Sequence, residues 1–392
     1  MPEWSEFWWT SITGPRNLCD AVSRALHNKS SVCLVVPDDL PWRDEMRASI
    51  ETGMHQMPDM ESFYVEFIDV EDECPDIGRY LMERYALPEI AAGYRGREKL
   101  QKYILDKQVL DNRVLWIKGM NASQEKRWLQ FCRDYVPVKD SDGRFVLEAR
   151  WTDKENERRN LAVIRYGDTI KRYDLTLFNS IYLNREKGTY SAIWQQYAAV
   201  MCALLCNTDA ETSQAFMDTC DFTVEEPIIG MRKIAADGAY LRRAESSNLH
   251  ILSLVHKESI SAIDAQIWKA QLQVLFPLLE IERVSFIKRY RKQVQEALGE
   301  KYHDFRTGRS QYIYQFGETV SDPDNAELGT IYRMTKLRRD ADAYQYLLYI
   351  PDEQSRSRIE LLHDLRNSLA HGNTCAIDKV IEFINGHPFD WN

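Results

Sequence analysis

A chain of 392 residues, 44% hydrophobic and 28% charged, can build more than one folded core, and no stretch of about 18 apolar residues marks a bilayer span. Its formal charge of −10 and pI near 5.5 exclude a protein that coats nucleic acid nonspecifically, while leaving room for a local polyanion site and for a protein partner. Eight scattered cysteines show neither a disulfide framework nor zinc spacing, so no metal and no other cofactor is expected, and a reduced cytoplasmic compartment is. The first residues, Pro2-Glu3-Trp4-Ser5-Glu6-Phe7, are acidic and aromatic and do not read as a signal peptide.

From the N-terminus, strands and helices alternate. Pro15 to His27 reads as a helix with Leu18, Ala21, Val22 and Leu26 on one face. Ser31–Val36 is a β-branched, buried strand that ends at Pro37, and a helix follows from Trp42 to Met54. Further strands are expected at Phe63–Val70, Arg113–Ile117, Phe145–Arg150 and Leu161–Tyr166, with helices at Asp76–Arg84, Arg97–Lys107 and Ser123–Tyr135. This alternation predicts an α/β region over residues 1–167 with a mostly parallel, helix-covered sheet. The layout resembles an AAA or STAND-type nucleotide-binding core, in which the first strand leads through a phosphate loop into a helix. The sequence departs from that pattern at Pro37-Asp38-Asp39-Leu40-Pro41-Trp42, which has no glycine, no lysine and no Ser/Thr for magnesium. The third strand ends in Trp116-Ile117-Lys118 with no acidic pair. The resemblance therefore implies a degenerate, non-hydrolysing P-loop relative that senses or docks. Asp38, Asp39, Trp42, Arg43 and Asp44 are candidates to line a cleft at the strand exits; a solvated loop and helix cap is the competing reading of the same residues.

Residues 168–250 read as a mainly helical connector, with helices at Tyr173–Leu183, Ala192–Cys206 and Ala210–Thr219. Cys202 and Cys206 lie four apart in the most apolar of these and belong to a core. Glu225–Arg242 carries mixed signals and supports no assignment. Residues 251–392 are expected to be helical throughout: Ile263–Phe276 stopping at Pro277, then Leu278–Leu298 continuing, with passage through a kink as the alternative, Asp324–Met334, Asp340–Tyr349, a long helix from Asp352 to His371, and Asp378–Asn385. On the second of these, Arg283, Lys288, Arg289, Arg291 and Lys292 form the strongest positive patch, a candidate RNA-phosphate track with Tyr290 and Tyr302 near enough to stack bases. Cations beside Glu282 and Glu296 on an ordinary solvated helix face are the competing reading.

The long helix ends in Leu361-Leu362-His363-Asp364-Leu365-Arg366-Asn367-Ser368-Leu369-Ala370-His371-Gly372. Leu361, Leu362, Leu365 and Leu369 make the buried stripe, and Gly372 is a left-handed stop. Arg366, Asn367 and His371 are the candidate catalytic residues. Metal-free RNA cleavage needs a proton acceptor for the 2′-hydroxyl, a donor for the leaving oxygen and positive charge at the phosphate; His and Arg supply these, and Asn can orient them. At 100° per residue Asn367 and His371 share a face, whereas Arg366 is about 140° from His371. A distorted helix end or a second subunit must bring the two together. A helix end whose cation favours the dipole is the competing reading.

Arginine, a polar residue, three residues and histidine at a late helix end resemble the HEPN family, and the resemblance covers residues 251–392. It implies a small all-α bundle and a metal-independent ribonuclease of phage-defence or toxin-like systems, with the site doubled across a homodimer. His371 would be the acid–base, Arg366 the phosphate cation and Asn367 the orienter. The implied partners are an RNA substrate, a second copy, and a protein partner or antitoxin from a defence operon, with no membrane. The alternative is a non-catalytic scaffold or dimerisation subunit of a multi-protein defence complex.

Overall fold

The computed structural model describes residues 3–70, 76–150, 156–245, 250–304 and 307–389. It divides into two compact units, Met1–Phe178 with Thr208–Glu211, and Asn179–Asn207 with Thr212–Asn392. The region 168–250, expected as a connector, is shared between them.

The first unit contains α1 (Trp4–Ser11), α2 (Thr13–His27), β1 (Ser31–Val35), α3 (Arg43–His55), β2 (Tyr64–Asp69), α4 (Ile77–Tyr85), α5 (Pro88–Gly93), α6 (Leu100–Asp106), β3 (Arg113–Lys118), α7 (Ala122–Asp134), β4 (Arg144–Ala149), β5 (Leu161–Arg165) and α8 (Tyr166–Thr169). All five expected strands form, and every pairing among them is parallel, in the order β2-β3-β4-β1-β5. Buried β-branched runs such as Val32-Cys33-Leu34 need cover on both faces, and helices supply it. On one face α4, α6 and α7 bring Leu81, Ile104, Trp128 and Phe131 against Leu115, Ile117, Phe145 and Leu147. The other face is covered by α1, α2 and α3, where the Ser23 hydroxyl donates to the Ile50 carbonyl at 3.1 Å. Asn121 and Gln124 close a capping box on α7, which fixes its start.

The second unit follows with α9 (Arg172–Glu186, which runs across the division), α10 (Ala192–Cys206), α11 (Ala210–Thr219), α12 (Pro227–Ala235), α13 (Leu241–Ala244), α14 (Ile251–His256), α15 (Ile260–Arg289), α16 (Arg291–Gly299), β6 (Tyr302–Asp304), β7 (Arg309–Gln311), β8 (Tyr314–Gln315), β9 (Glu318–Thr319), α17 (Leu328–Lys336), α18 (Glu353–Ala370) and α19 (Ile377–Asn385). α10 is buried on nearly every side and packs along α15, which also meets α14 and α18. Arg358 of α18 and Glu282 of α15 form a buried ion pair, and Arg358 also donates to the carbonyls of Glu382 and Phe383 at 3.3 and 3.0 Å. One guanidinium thereby ties together α15, α18 and α19.

Three expectations are corrected. The C-terminal third is not all-α: β6–β7 and β8–β9 are antiparallel hairpins. The second turns at Phe316 and Gly317, whose φ values of 53° and 87° fit a two-residue turn that needs positive φ twice. α15 does not stop at Pro277 but runs through it for 30 residues. Pro277 and Gln273, whose carbonyl loses its amide donor to the proline, are both exposed, so water solvates the orphaned oxygen. Residues 340–349 form no helix. Asp342 accepts from the Tyr344 amide at 3.0 Å in a tight turn, and Arg338 bridges to Tyr346. No described helix is long and apolar enough to cross a membrane.

Candidate active site

The motif helix α18 begins where Asp352 accepts from the Ser355 amide at 2.8 Å, a bond that, with the Ser355 hydroxyl, holds the Asp352 carboxyl below its ordinary range. Ile359, Leu361, Leu362, Leu365 and Leu369 are buried, so the expected stripe faces the core. At the other end His371 is the C-cap and Gly372 takes φ +77°. The Asn373 amide donates to Ser368 O at 2.9 Å and the Gly372 amide to Leu369 O at 3.2 Å. These are the two bonds of a Schellman turn, and they fix the backbone of His371 at the helix end.

Asn367 and His371 lie one turn apart, both exposed, and the His371 amide donates to Asn367 O at 3.1 Å. Arg366 is half-buried and turns toward α17, donating to Glu327 Oε2 at 3.1 Å. Within one chain the motif therefore presents an imidazole and an amide on one surface, with the guanidinium held to the side by a carboxylate. His363 belongs to a different arrangement. Its ring stacks on Tyr332 at 4.1 Å between centroids, and Asp364 beside it pairs with Lys379 at 2.7 Å. Both the hydrogen bond and the charge of Lys379 lower the Asp364 carboxyl.

Three supports of this end have no signal in the local sequence. Trp268 of α15 donates its indole N–H to Leu369 O at 2.8 Å. Buried Gln271, one turn on, accepts from the Cys375 amide at 2.7 Å and donates to Cys375 O at 2.9 Å, clasping the chain after Gly372. Burial raises the Cys375 thiol to about 12, so it packs as a neutral group. Glu327, the third support, sits 39 positions from Arg366. Spacing rules reach only one or two helical turns, so partners this distant are invisible to them.

The five basic residues divide. Arg283 donates to Glu280 at 2.8 Å and to the carbonyls of Asp324 and Ala326, and Arg291 makes a two-toothed pair with Asp324 at 2.8 and 3.0 Å. Lys288, Arg289 and Lys292 are exposed. The patch is spread along the bundle: Tyr290, between Arg289 and Arg291, donates to Ser355 Oγ at 2.8 Å at the first turn of α18, about 24 Å along that helix from His371, whereas Arg283 reaches the Asp324 and Ala326 carbonyls, next to the Glu327 that holds Arg366.

In the first unit, the chain after β1 carries no phosphate cradle. Trp42 sits in the left-handed region at φ 43°, its amide donating to Glu211 Oε2 at 3.0 Å. Arg43 reaches Glu148 Oε2 at 2.7 Å, Arg47 reaches Glu148 Oε1 at 2.7 Å, and the Trp116 indole donates to Oε1 at 2.8 Å. Burial would raise the Glu148 carboxyl, but the hydrogen bond and charge of Arg47, with Arg43 and Trp116, outweigh it and hold the group below its ordinary value. Asp38 pairs with Arg150 at 2.9 Å and Asp44 with Arg47 at 2.8 Å. The loop charges are thus engaged with their neighbours, and Glu148 at their centre was missed because its partners lie 32 to 105 positions away. Among the described residues no group of three or more His, Cys, Asp or Glu is arranged to hold a metal ion.

No family model matches the chain, and no curated protein matches it. Among solved structures it has a slight likeness to the Aeropyrum pernix ORC2 protein in ADPNP–ADP complexes: 12% identity, 70% of this chain and 74% of that chain covered, and a TM-score of 0.30, which is too low to carry fold or function.

Proposed function

We propose that the chain is a metal-independent endoribonuclease of the HEPN type, in which two copies of the α18 end act on one phosphate and the first unit senses or docks without hydrolysing nucleotide. The observation that carries this reading is the exposed turn bearing Asn367 and His371, fixed by the Schellman bonds, with Arg366 one position before Asn367. An imidazole takes the proton from a 2′-hydroxyl, whose oxygen attacks phosphorus. The P–O5′ bond breaks, and the 5′-oxygen takes a proton from a second imidazole, leaving a cyclic phosphate and a 5′-hydroxyl. One His371 per chain serves as either acid or base, so the two roles call for two chains. Arg366 exchanges the Glu327 carboxylate for two phosphate oxygens as charge builds there. The first unit lacks a phosphate loop after β1, and the engaged charges around Glu148 support a docking role over a nucleotide switch.

A second reading is favoured by the same ion pair. If Glu327 holds Arg366 permanently, the bundle is a non-catalytic scaffold of a larger defence complex. Expression of the wild type, Arg366→Ala and His371→Ala, followed by growth and RNA integrity, separates the two. The enzyme reading expects growth arrest and RNA cleavage from the wild type alone. Wild-type toxicity that persists in both variants removes the site, and intact RNA in every strain removes the enzyme.

A further inference from the structure

A cavity of about 510 Å³ lies between α16 and residues 339–349, and its walls are not those of a packing defect. Tyr344, Tyr346 and Tyr349 line it, 93%, 39% and 59% exposed. Exposed rings at this density offer flat faces to a planar ligand, and one is already used so: the Arg338 guanidinium lies 3.5 Å over the Tyr346 ring. Gln293, Glu296, Gln345, Arg339 and Leu347 complete the lining, and the side chains of Gln293, Glu296 and Gln345 make no hydrogen bond among the described residues. Two amides and a carboxylate beside exposed rings match the donor and acceptor edge of a nucleobase. The Glu296 carboxylate repels a phosphate from the cavity itself, and Arg339 inside it is engaged by Glu300 at 2.9 Å. Cations that can meet flanking phosphates are near in the chain: Arg289 and Lys292, both exposed, stand four positions before Gln293 and Glu296, and Arg289 lies over the Tyr290 ring at 5.6 Å.

We infer that this cavity holds an unstacked base of single-stranded RNA, with Arg289 and Lys292 on the flanking phosphates. The cavity and α18 are tied together: Arg356 donates to the carbonyls of Ile350 and Pro351 at 2.6 and 2.9 Å, and Tyr290 to Ser355. From Ser355, at that end, His371 lies about 24 Å along α18. At about 3.4 Å per stacked nucleotide, a strand following α18 from Ser355 to His371 spans roughly seven nucleotides. The link to cleavage rests on the ribonuclease reading; base binding does not.

The test uses the full chain with His371→Ala, so that RNA is not consumed, and fluorescein-labelled oligo(A) and oligo(U) of 12 nucleotides read by anisotropy. Tyr344→Ala with Tyr349→Ala is expected to weaken binding by between about five- and 150-fold, from the stacking of the one base held. Tyr344→Phe with Tyr349→Phe keeps the ring faces and is expected to bind as the parent does; because both tyrosines are exposed, circular dichroism should match in all three proteins. Lys292→Ala is expected to flatten the salt dependence by about one unit of slope. Equal binding by the alanine and parent proteins overturns the inference, as does the lack of any RNA binding alongside tyrosine-dependent capture of a proline-rich peptide. Tyrosine-dependent RNA binding without cleavage by the His371-containing chain leaves the pocket standing and the ribonuclease reading fallen; cleavage without tyrosine dependence does the reverse.

Discussion

Arg366 has one carboxylate at hand and, in the proposed reaction, one phosphate to serve, and the two compete. An ion pair this exposed contributes about 0.2–1 kcal/mol, so substrate can displace Glu327 without much loss. Glu327→Gln is accordingly expected to lower KM for RNA by up to about fivefold at low ionic strength, measured by initial rates over a substrate series; a raised KM would mean that Glu327 aims the guanidinium. Glu148 poses the opposite case, a carboxylate buried against two guanidinium groups. Glu148→Gln leaves Arg43 without a carboxylate and Arg47 with only the exposed Asp44, and should cost about 2–3 kcal/mol in chemical denaturation, less than a fully buried pair because Arg43 is partly exposed and Arg47 keeps that partner. The same group sets a pH dependence. Its folded value lies below the ordinary 4.5, so its contribution is fully present above 4.5 and is lost as pH falls through the depressed value. Wild-type stability should drop over that acid window, and the Glu148→Gln protein should lose less.

At the scale of elements, what was legible followed from length and periodicity. Ser31–Val35 and Phe145–Leu147 are runs of β-branched and aromatic residues bounded by breakers, and strands form there within a residue or two of expectation. The stop at Gly372 was legible because only one local conformation satisfies Leu369 O and Ser368 O together. The hairpins were not, since strands of two or three residues have no period and Phe316-Gly317 lacks the asparagine that usually marks such a turn. Nor was the continuity of α15, because a proline's cost depends on whether the carbonyl it orphans meets water, a fact that sits in the fold. Pro277→Ala tests this directly. It restores the bond to Gln273 and is expected to raise stability by up to about 3 kcal/mol, seen as a higher Tm and a small gain in helical dichroism.

At the scale of the molecule, residues that share a turn were legible as a candidate site, whereas those meeting across the sequence were not. Asn367 and His371 belong to the first kind. Trp268, Gln271, Glu327 and the pocket tyrosines belong to the second, brought in by α15, α17 and the turn after residue 339. Tyr290, about 80 positions before His371, likewise meets the first turn of α18 and not the turn that bears the motif, a placement that sequence distance does not show.

The placing of β1 between β4 and β5 bears on how the chain is made. Val32, Cys33 and Leu34 leave the ribosome early, yet both neighbours that satisfy their amides and carbonyls arrive more than a hundred residues later. At 5–20 residues per second that interval lasts roughly 6 to 26 s, during which an apolar ribbon with two open edges waits in water. Nascent chains stalled before Arg144 should therefore be chaperone clients and protease-sensitive, and resistance should appear only once Arg165 has emerged, as pulse proteolysis of arrested ribosome complexes would record. Protection already at residue 120 would mean that β2 and β3 shelter β1 in a pairing that the finished protein does not keep.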